Sequence, residues 1–264
     1  MMRSLYTAAS GMTSQQFNVE VISNNLANVN TTGFKKVRAE FEDLLYETLL
    51  LAGTPVGSAS EIPTGIQVGH GSKVSSTVTI HTSEGNLQST GEPLNIAIEG
   101  QGFFQITLPD GSTTYTRDGS FKLDSNGQVV TNQGYLLTDQ EVVIPQDALQ
   151  VSVSADGIVN VLLPGNPTPQ QVAQLNLANF INPSGLEKIG ENLYRETAAS
   201  GAPVISRPTE NNMGSLRQGF LELSNVQVVE ELVNLIVAQR AYESNSKSIQ
   251  TSDEMLNTAV NLKR

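Results

Sequence analysis

Two stretches decide the fold: residues 1–30, MMRSLYTAASGMTSQQFNVEVISNNLANVN, and residues 225–264, NVQVVEELVNLIVAQRAYESNSKSIQTSDEMLNTAVNLKR. Each reads as a long amphipathic helix with apolar residues recurring at every seventh position. The first carries Leu5, Met12, Val19 and Leu26, the second Val228, Leu235, Tyr242, Ile249 and Leu256. A companion row runs three residues on in the first helix, through Ala8, Gln15, Ile22 and Val29. The matching row of the second is Leu232, Gln239, Ser246, Asp253 and Val260, polar at three positions and therefore weak alone. A chain with two sticky helices at its ends is built to pack with copies of itself. A two-helix hairpin inside one molecule satisfies the same periodicity, and spacing alone leaves both open.

The faces beside these rows are unusual. Before Lys35 only Arg3 and Glu20 are charged, and the rest is Ser, Thr, Gln and Asn. Uncharged polar faces suit burial among subunits, where hydrogen bonds can be met but charges are costly. Gly33, after Asn30-Thr31-Thr32, is the expected stop. Ser224-Asn225-Val226-Gln227 reads as a capping box, with Glu230 and Glu231 at the favourable end of the helix dipole. Some 38 residues of helix would reach roughly 57 Å. A helix this polar is expected to fray in the free subunit and to order on assembly.

Composition narrows the function classes. A chain of 264 residues exceeds one small core, so two or more domains are expected. Hydrophobic residues are 38%, aromatics 5%, and Trp is absent, so part of the stability should come from neighbours. The net charge of −11, with no basic cluster beyond Lys35, Lys36 and Arg38, opposes nucleic-acid binding. Absence of Cys removes disulfides, thiolate metal sites and cysteine nucleophiles, and suits an oxidising compartment. Met1 to Ser14 lacks the apolar core of a secretory signal, so any exit from the cytoplasm calls for another route. No run of 18 apolar residues is present, and no membrane insertion is expected.

Residues 31–73 read as an extended connecting segment. Gly53, Pro55, Gly57, Ser58, Ser60, Pro63, Gly65, Gly69 and Gly71 punctuate its second half, which is too long for an ordinary connection. Residues 74–224 read as β-rich. Leu94, Ile96 and Ile98 alternate, as do Phe104, Ile106 and Leu108. Hairpin signals recur at Asp110-Gly111, Asp118-Gly119, Asn126-Gly127 and Asp156-Gly157. The expected architecture is α+β multidomain: residues 1–30 plus 225–264 form a coiled-coil-like polymerisation domain, with a β-rich central domain at 74–224.

No catalytic set emerges. His70 and His81 lack a third zinc ligand at helical or hairpin spacing, and both are expected to be exposed in loops or strands. Gly69-His70-Gly71-Ser72-Lys73 lacks the order of a phosphate loop. Gly100-Gln101-Gly102-Phe103 lacks the third glycine of a dinucleotide site. The loop from Asp124 places Val129 where a calcium loop needs Gly, and Tyr135 where it needs Glu. Asp118, Asp124 and Asp139 fit turns better than a glycosidase pair. No cofactor or metal is expected.

Three segments carry a resemblance. Ser23 to Lys35, SNNLANVNTTGFK, resembles the N-terminal signature of bacterial flagellar rod and hook proteins. Leu232 to Ser246, LVNLIVAQRAYESNS, is similar to that family's C-terminal helix. GQGFFQI, YTRDGSFKLDSNG and NQGYLL, within 100–137, resemble its central β domain. The short chain and the Gly/Pro/Ser stretch at about 46–73 put it nearest the distal rod subunits. The resemblance implies a non-enzymatic subunit of a hollow, straight drive shaft that crosses the periplasm and transmits torque to the hook. Implied partners are the chain itself, the proximal rod protein, the hook protein, a rod cap, and the P-ring and L-ring proteins. Export would use the flagellar type III apparatus without a cleaved signal. A hook or proximal rod subunit is the alternative within the family, and a secreted β-scaffold hydrolase the alternative outside it.

The expected polymerisation interface takes Leu5, Met12, Val19, Ile22, Asn24, Asn25, Leu26, Asn28 and Val29 from the first helix. From the second it takes Val228, Leu232, Leu235, Tyr242, Ile249 and Leu256. Asn24, Asn25 and Asn28 can donate and accept at once, which suits polar contacts between subunits, although capping where the helix ends also explains them. Arg240 and Glu243, three apart, are placed to pair.

Overall fold

A computed structural model describes residues 2–53, 63–82, 85–137, 142–165 and 168–261. Pro55, Gly57, Ser58 and Ser60 of the connecting segment, and Asp139 of the candidate carboxylates, lie outside the described residues. The fold is mixed α+β, with two terminal helices packed together and a β-rich central region. The chain divides into two compact units. One comprises Met1–Leu26, Val37–Val78 and Gln227–Arg264; the other comprises Ala27–Lys36 and Thr79–Val226.

The first unit contains α1 (Met2–Ala27), α2 (Val228–Asn261), β1 (Val37–Asp43), β2 (Tyr46–Leu50), β3 (Ile66–Gly69) and β4 (Ser72–Thr79). At 34 residues, α2 is about 51 Å long. Glu230 and Glu231 occupy its first turn. The expected capping box is not formed. Ser224 Oγ instead accepts from the N–H of Val226, two residues on, and the helix begins at Val228. Strand β1 pairs with β4, and β2 pairs antiparallel with β3 across the stretch that reads as irregular in sequence. Serines tie the start of β4 to α1: Ser10 Oγ accepts from Ser72 N–H, and Ser14 Oγ donates to Ser72 O. Arg3 reaches Glu47 at 2.7 Å.

The second unit is built from β5 (Leu87–Ser89), β6 (Ile96–Glu99), β7 (Phe104–Thr107), β8 (Thr113–Thr116), β9 (Lys122–Leu123), β10 (Val129–Val130) and β11 (Leu136–Leu137). The chain continues through β12 (Gln150–Val153), β13 (Ile158–Leu162), β14 (Gln170–Gln174), β15 (Leu177–Asn179) and β16 (Glu187–Gly190). It closes with β17 (Leu193–Arg195), β18 (Val204–Ser206), β19 (Ser215–Gln218) and β20 (Phe220–Glu222). The largest sheet runs β16-β17-β8-β7-β11-β10-β9, and β12-β13-β14 forms a second. Turn chemistry sets the hairpins. Gly111, Gly127 and Gly157 all have positive φ, and each closes a connection between paired antiparallel strands. Asp118-Gly119 does something else. Its aspartate accepts from Ser120 N–H and hydroxyl, and a Cβ on Gly119 would collide with the carbonyl of Ile96. That glycine marks a close crossing of two backbones rather than a hairpin.

The large hydrophobic core lies in this second unit. Ile98, Phe104, Ile106, Val161, Leu175 and Leu177 are among its most enclosed members. An aromatic cluster of Phe103, Tyr115, Phe180 and Tyr194 packs edge to face beside it. The first unit is different. Its buried apolar side chains, among the described residues, are Ala8, Ile22, Ala39 and Ala238.

Candidate functional site

The helix pair meets along a row of small and polar residues. Ser4 and Ser252 hydroxyls lie 3.3 Å apart. A Cβ added to Gly11 would come within 2.8 Å of Asn245 Nδ2. Asn25 Nδ2 donates to Glu231 Oε2 at 3.1 Å. These contacts descend α1 from 4 to 11 to 25 as they climb α2 from 252 to 245 to 231, so the helices run antiparallel in heptad steps. Ala238, one heptad from both Glu231 and Asn245, is also buried. Small residues let the two backbones approach closely. They also leave little apolar area for the pair to bury within one chain.

Sequence reading missed this row because it searched for large apolar residues at heptad spacing. The signal was present as Ser4, Gly11, Asn18 and Asn25, and as Glu231, Ala238, Asn245 and Ser252. The apolar rows of the sequence flank it. Leu5, Met12, Val19, Leu26, Val29, Leu235, Ile249 and Leu256 are half-buried, while Val228, Leu232 and Tyr242 are exposed. Ile22 is buried. Asn24 is exposed and Asn28 half-buried, with its side-chain oxygen accepting from the Thr31 hydroxyl. Asn25 is buried, and its carboxamide acts as a strand edge within its own chain. Val37 N–H donates to Oδ1 at 2.9 Å, and Nδ2 donates to Val37 O at 2.8 Å. The Arg240–Glu243 pair forms at 3.1 Å, on the solvent side.

Large apolar side chains point away from the pair. Opposite the buried Glu231–Ala238 row, α2 presents Val229 (76% exposed), Val233, Ile236 and Val237 (61%). The β2–β3 ribbon adds Tyr46, Leu49, Ile66 and Val68, with Leu45 and Leu51 at its ends. Among the described residues this unit buries Ala8, Ser14, Ile22, Asn25, Ala39, Glu231, Ala238 and Ser252, and leaves large aliphatic side chains such as Val229, Val237, Leu45 and Leu51 exposed. Exposed apolar side chains thus stand on two elements of this unit, the outer face of α2 and the β2–β3 ribbon. A groove of about 620 Å³ opens between the helices beside Gln16, Val19, Gln239, Tyr242 and Glu243.

The second unit holds a buried ionic cluster at the segment that follows α1. Lys35 Nζ lies 2.6 Å from Glu222 Oε1, and Arg117 Nη1 lies 3.4 Å from Glu222 Oε2. Gly85 N–H also donates to Oε1. Gly33 is required here twice over. Its φ is +68°, and a Cβ would come within 2.7 Å of the Arg117–Asp118 backbone. His81, expected at the surface, is instead packed between the rings of Phe103 and Tyr194 at 5.4 and 5.5 Å. Neither of its ring nitrogens has a hydrogen-bond partner among the described residues. Burial, then the Arg117, Lys35 and Lys188 charges, hold its pKa down at about 3. Burial also lowers the Lys188 ammonium to about 8. His70 is exposed.

Asp118 and Asp124 serve as turn acceptors, to Ser120 and Ser125 respectively. Among the described residues no group of three or more His, Asp or Glu is placed to hold a metal ion, and no helix is long and apolar enough to cross a membrane.

Comparison with known proteins accounts for both ends and the middle. Residues 5–35 match the flagella basal body rod protein family, and residues 97–161 the flagellar hook protein FlgE/F/G D1 domain. Residues 217–262 match the C-terminal family of flagellar basal body rod FlgEFG proteins. A flagellar basal-body rod protein FlgG from Borreliella burgdorferi is 54% identical, with all of both chains covered. The FlgG of Caulobacter vibrioides is 52% identical over 99% of this chain and 100% of its own. That of Bacillus subtilis is 44% identical over the full length of both. With its helix pair turned apolar side out and its sequence related along its whole length to these proteins, the chain belongs to the FlgG family of flagellar basal-body rod proteins.

Proposed function

We propose that this structural rod subunit polymerises through the outward apolar faces of its terminal helices into the straight, hollow distal rod. That shaft crosses the periplasm and carries torque to the hook. The observation that carries the reading is the inverted distribution of apolar side chains in the helical unit. Val229, Val233, Ile236 and Val237 are exposed, while the seam between α1 and α2 is Ser, Gly, Asn, Ala and one Glu. Burying each of those side chains against a neighbour is worth about 1.5–3 kcal/mol. Summed over many subunits, such contacts stabilise a polymer whose monomer is only marginally ordered at its ends.

The half-buried and exposed members of the expected interface, from Leu5 to Val29 and from Val228 to Leu256, fall to contacts between subunits in this reading. Ile22 and Asn25 support them from inside. The domain division follows the same logic, with residues 1–30 and 225–264 for polymerisation, 31–73 as a rod-type connecting segment, and 74–224 as the β-rich domain. The exposed ribbon within 46–73 braces a neighbouring subunit and keeps the shaft straight. Partners are other copies, the proximal rod and hook proteins, the rod cap, and the P and L rings. The chain is exported by the flagellar type III apparatus and has no catalytic role.

Concentrated subunit should form straight tubes visible by electron microscopy, and deletion of 46–73 should make them soft or curved. Equally straight tubes after that deletion would count strongly against the bracing role. A concentrated preparation that stays monomeric, with both terminal helices protected from hydrogen exchange, would end the polymer reading.

A further inference from the structure

We infer that Glu231 selects which faces of α1 and α2 meet within one chain, acting through Asn25, which β1 holds in place. This goes beyond the polymer reading and does not rest on it, because the pairing is a property of a single subunit.

Two sets of rows could bring these helices together. One is the small and polar seam of the structure, with Ser4 at Ser252 and Asn25 at Glu231. The other joins the large apolar rows. In the same antiparallel alignment Leu5 stands at nearly the level of Ile249, Met12 of Tyr242 and Val19 of Leu235. Turning each helix about its own axis would bring those side chains together without sliding one helix along the other. That packing would remove more apolar area from water, so hydrophobic burial alone favours it. The chain does not adopt it: Leu5, Val19, Leu235 and Ile249 are only half-buried and Tyr242 is exposed.

The polar end of the seam accounts for the choice. Asn25 and Glu231 are each 1% exposed. Val37 N–H donates to Asn25 Oδ1 at 2.9 Å, and Nδ2 donates to Val37 O at 2.8 Å, so the carboxamide is tied to β1 and cannot follow a turn of α1. Nδ2 carries a second hydrogen, and this reaches Glu231 Oε2 at 3.1 Å. Turning α2 would draw that acceptor away and bring an apolar side chain against a donor that water does not reach. The rest of the seam does not lock the face by shape, since Gly11 lies against Asn245 and Ala238 is small. A buried polar pair of this kind adds little stability over an apolar pair of similar volume, and its best-attested effect is to make one arrangement unique.

The chain has no native cysteine, so the choice of face can be read by disulfide closure. Two full-length reporters are made: Ser4→Cys with Ser252→Cys for the polar seam, and Leu5→Cys with Ile249→Cys for the apolar rows. Each is oxidised at high dilution, and closure within the chain is followed by mass and gel mobility. Without further change the polar-seam pair should close at least tenfold faster than the apolar-row pair. Adding Glu231→Leu should reduce that preference at least tenfold. Glu231→Gln keeps an oxygen acceptor for Asn25 and should retain it. An undiminished preference in Glu231→Leu would overturn the proposal, as would its loss in Glu231→Gln. Loss of helix by circular dichroism in Glu231→Leu would also overturn it, because the pair would then be needed to form the helices and not to choose their faces. Equal closure of the two reporters without further change would mean that the chain makes no such choice, and would end the proposal as well.

Discussion

Lys35 and Arg117 share one buried carboxylate, that of Glu222, at 2.6 and 3.4 Å, with all three side chains almost wholly enclosed. A charge in such a place is tolerated because it is paired and hydrogen-bonded, and the members are not equivalent. Removing Lys35 leaves Arg117 and Glu222 facing each other. Removing the charge of Glu222 deprives two cations of it at once. Glu222→Gln should therefore destabilise the β-rich unit by about 3–5 kcal/mol, and Lys35→Met by distinctly less. Urea unfolding followed by tyrosine fluorescence measures both. Equal losses in the two variants would show that Glu222 is not the shared member that the geometry makes it.

His81 predicts a pH dependence. Its folded pKa of about 3 lies below the ordinary 6.5, so on acidification the unfolded chain takes the proton first. Its contribution to stability is fully present above pH 6.5 and is lost as pH falls from there towards about 3. The slope in that window is about 1.4 kcal/mol per pH unit. The cations that face the ring are Arg117, Lys35 and Lys188, with Glu222 behind the first two. His81→Phe keeps an aromatic ring against Phe103 and Tyr194 and gives up no hydrogen bond of the ring. It should match or exceed the parent at pH 7 and lose stability less steeply between pH 6 and 4. Parallel acid profiles for the two proteins would remove His81 from the account.

The depth at which the sequence could be read differs between the two units. The β-rich unit followed from alternation at Ile96 and Ile98, and from turn pairs such as Asp110-Gly111, because turn chemistry and a period-two apolar pattern are written in adjacent residues, even though Ala97 between the isoleucines is buried too. The helices followed from their heptads. What did not follow was which heptad row faces inward. Ser4 and Gly11 look unremarkable beside Leu5 and Met12, and apolar rows ordinarily mark the core. In this chain the larger row is left half-buried, and the row that faces the other helix is small and polar. His81 was missed for a related reason. Its burial depends on Phe103 and Tyr194, which are distant in sequence, and no periodicity around residue 81 records them.

Gly11 is the point where closeness can be tested. Alanine there would gain about 1 kcal/mol of helix propensity. Its methyl would also meet the Asn245 carboxamide, which must then shift, and overpacking of this kind costs about 1–3 kcal/mol. Gly11→Ala alone should lower the melting temperature of the assembled tubes. The double variant Gly11→Ala, Asn245→Ala should recover most of the loss, because the methyl then has room. A double-mutant cycle on tube melting gives the coupling. Additive effects would mean that the helices do not meet at this pair.

Adjacent residues on α2 separate the two roles of that helix. Val237 is exposed on the outer face, and Ala238 is 1% exposed in the seam against α1. Val237→Asp changes a surface side chain in the free subunit, so its monomer should unfold within about 0.5 kcal/mol of the parent. In the polymer the same carboxylate would be buried without a partner, and assembly should fail. Ala238→Asp should do the reverse damage first. It forces a charge between the two helices, so the terminal helices should lose protection from hydrogen exchange even in the monomer. Critical concentration by light scattering and exchange by mass spectrometry read the two effects separately. If Val237→Asp assembles at the parental concentration, the outer face of α2 is not where subunits meet.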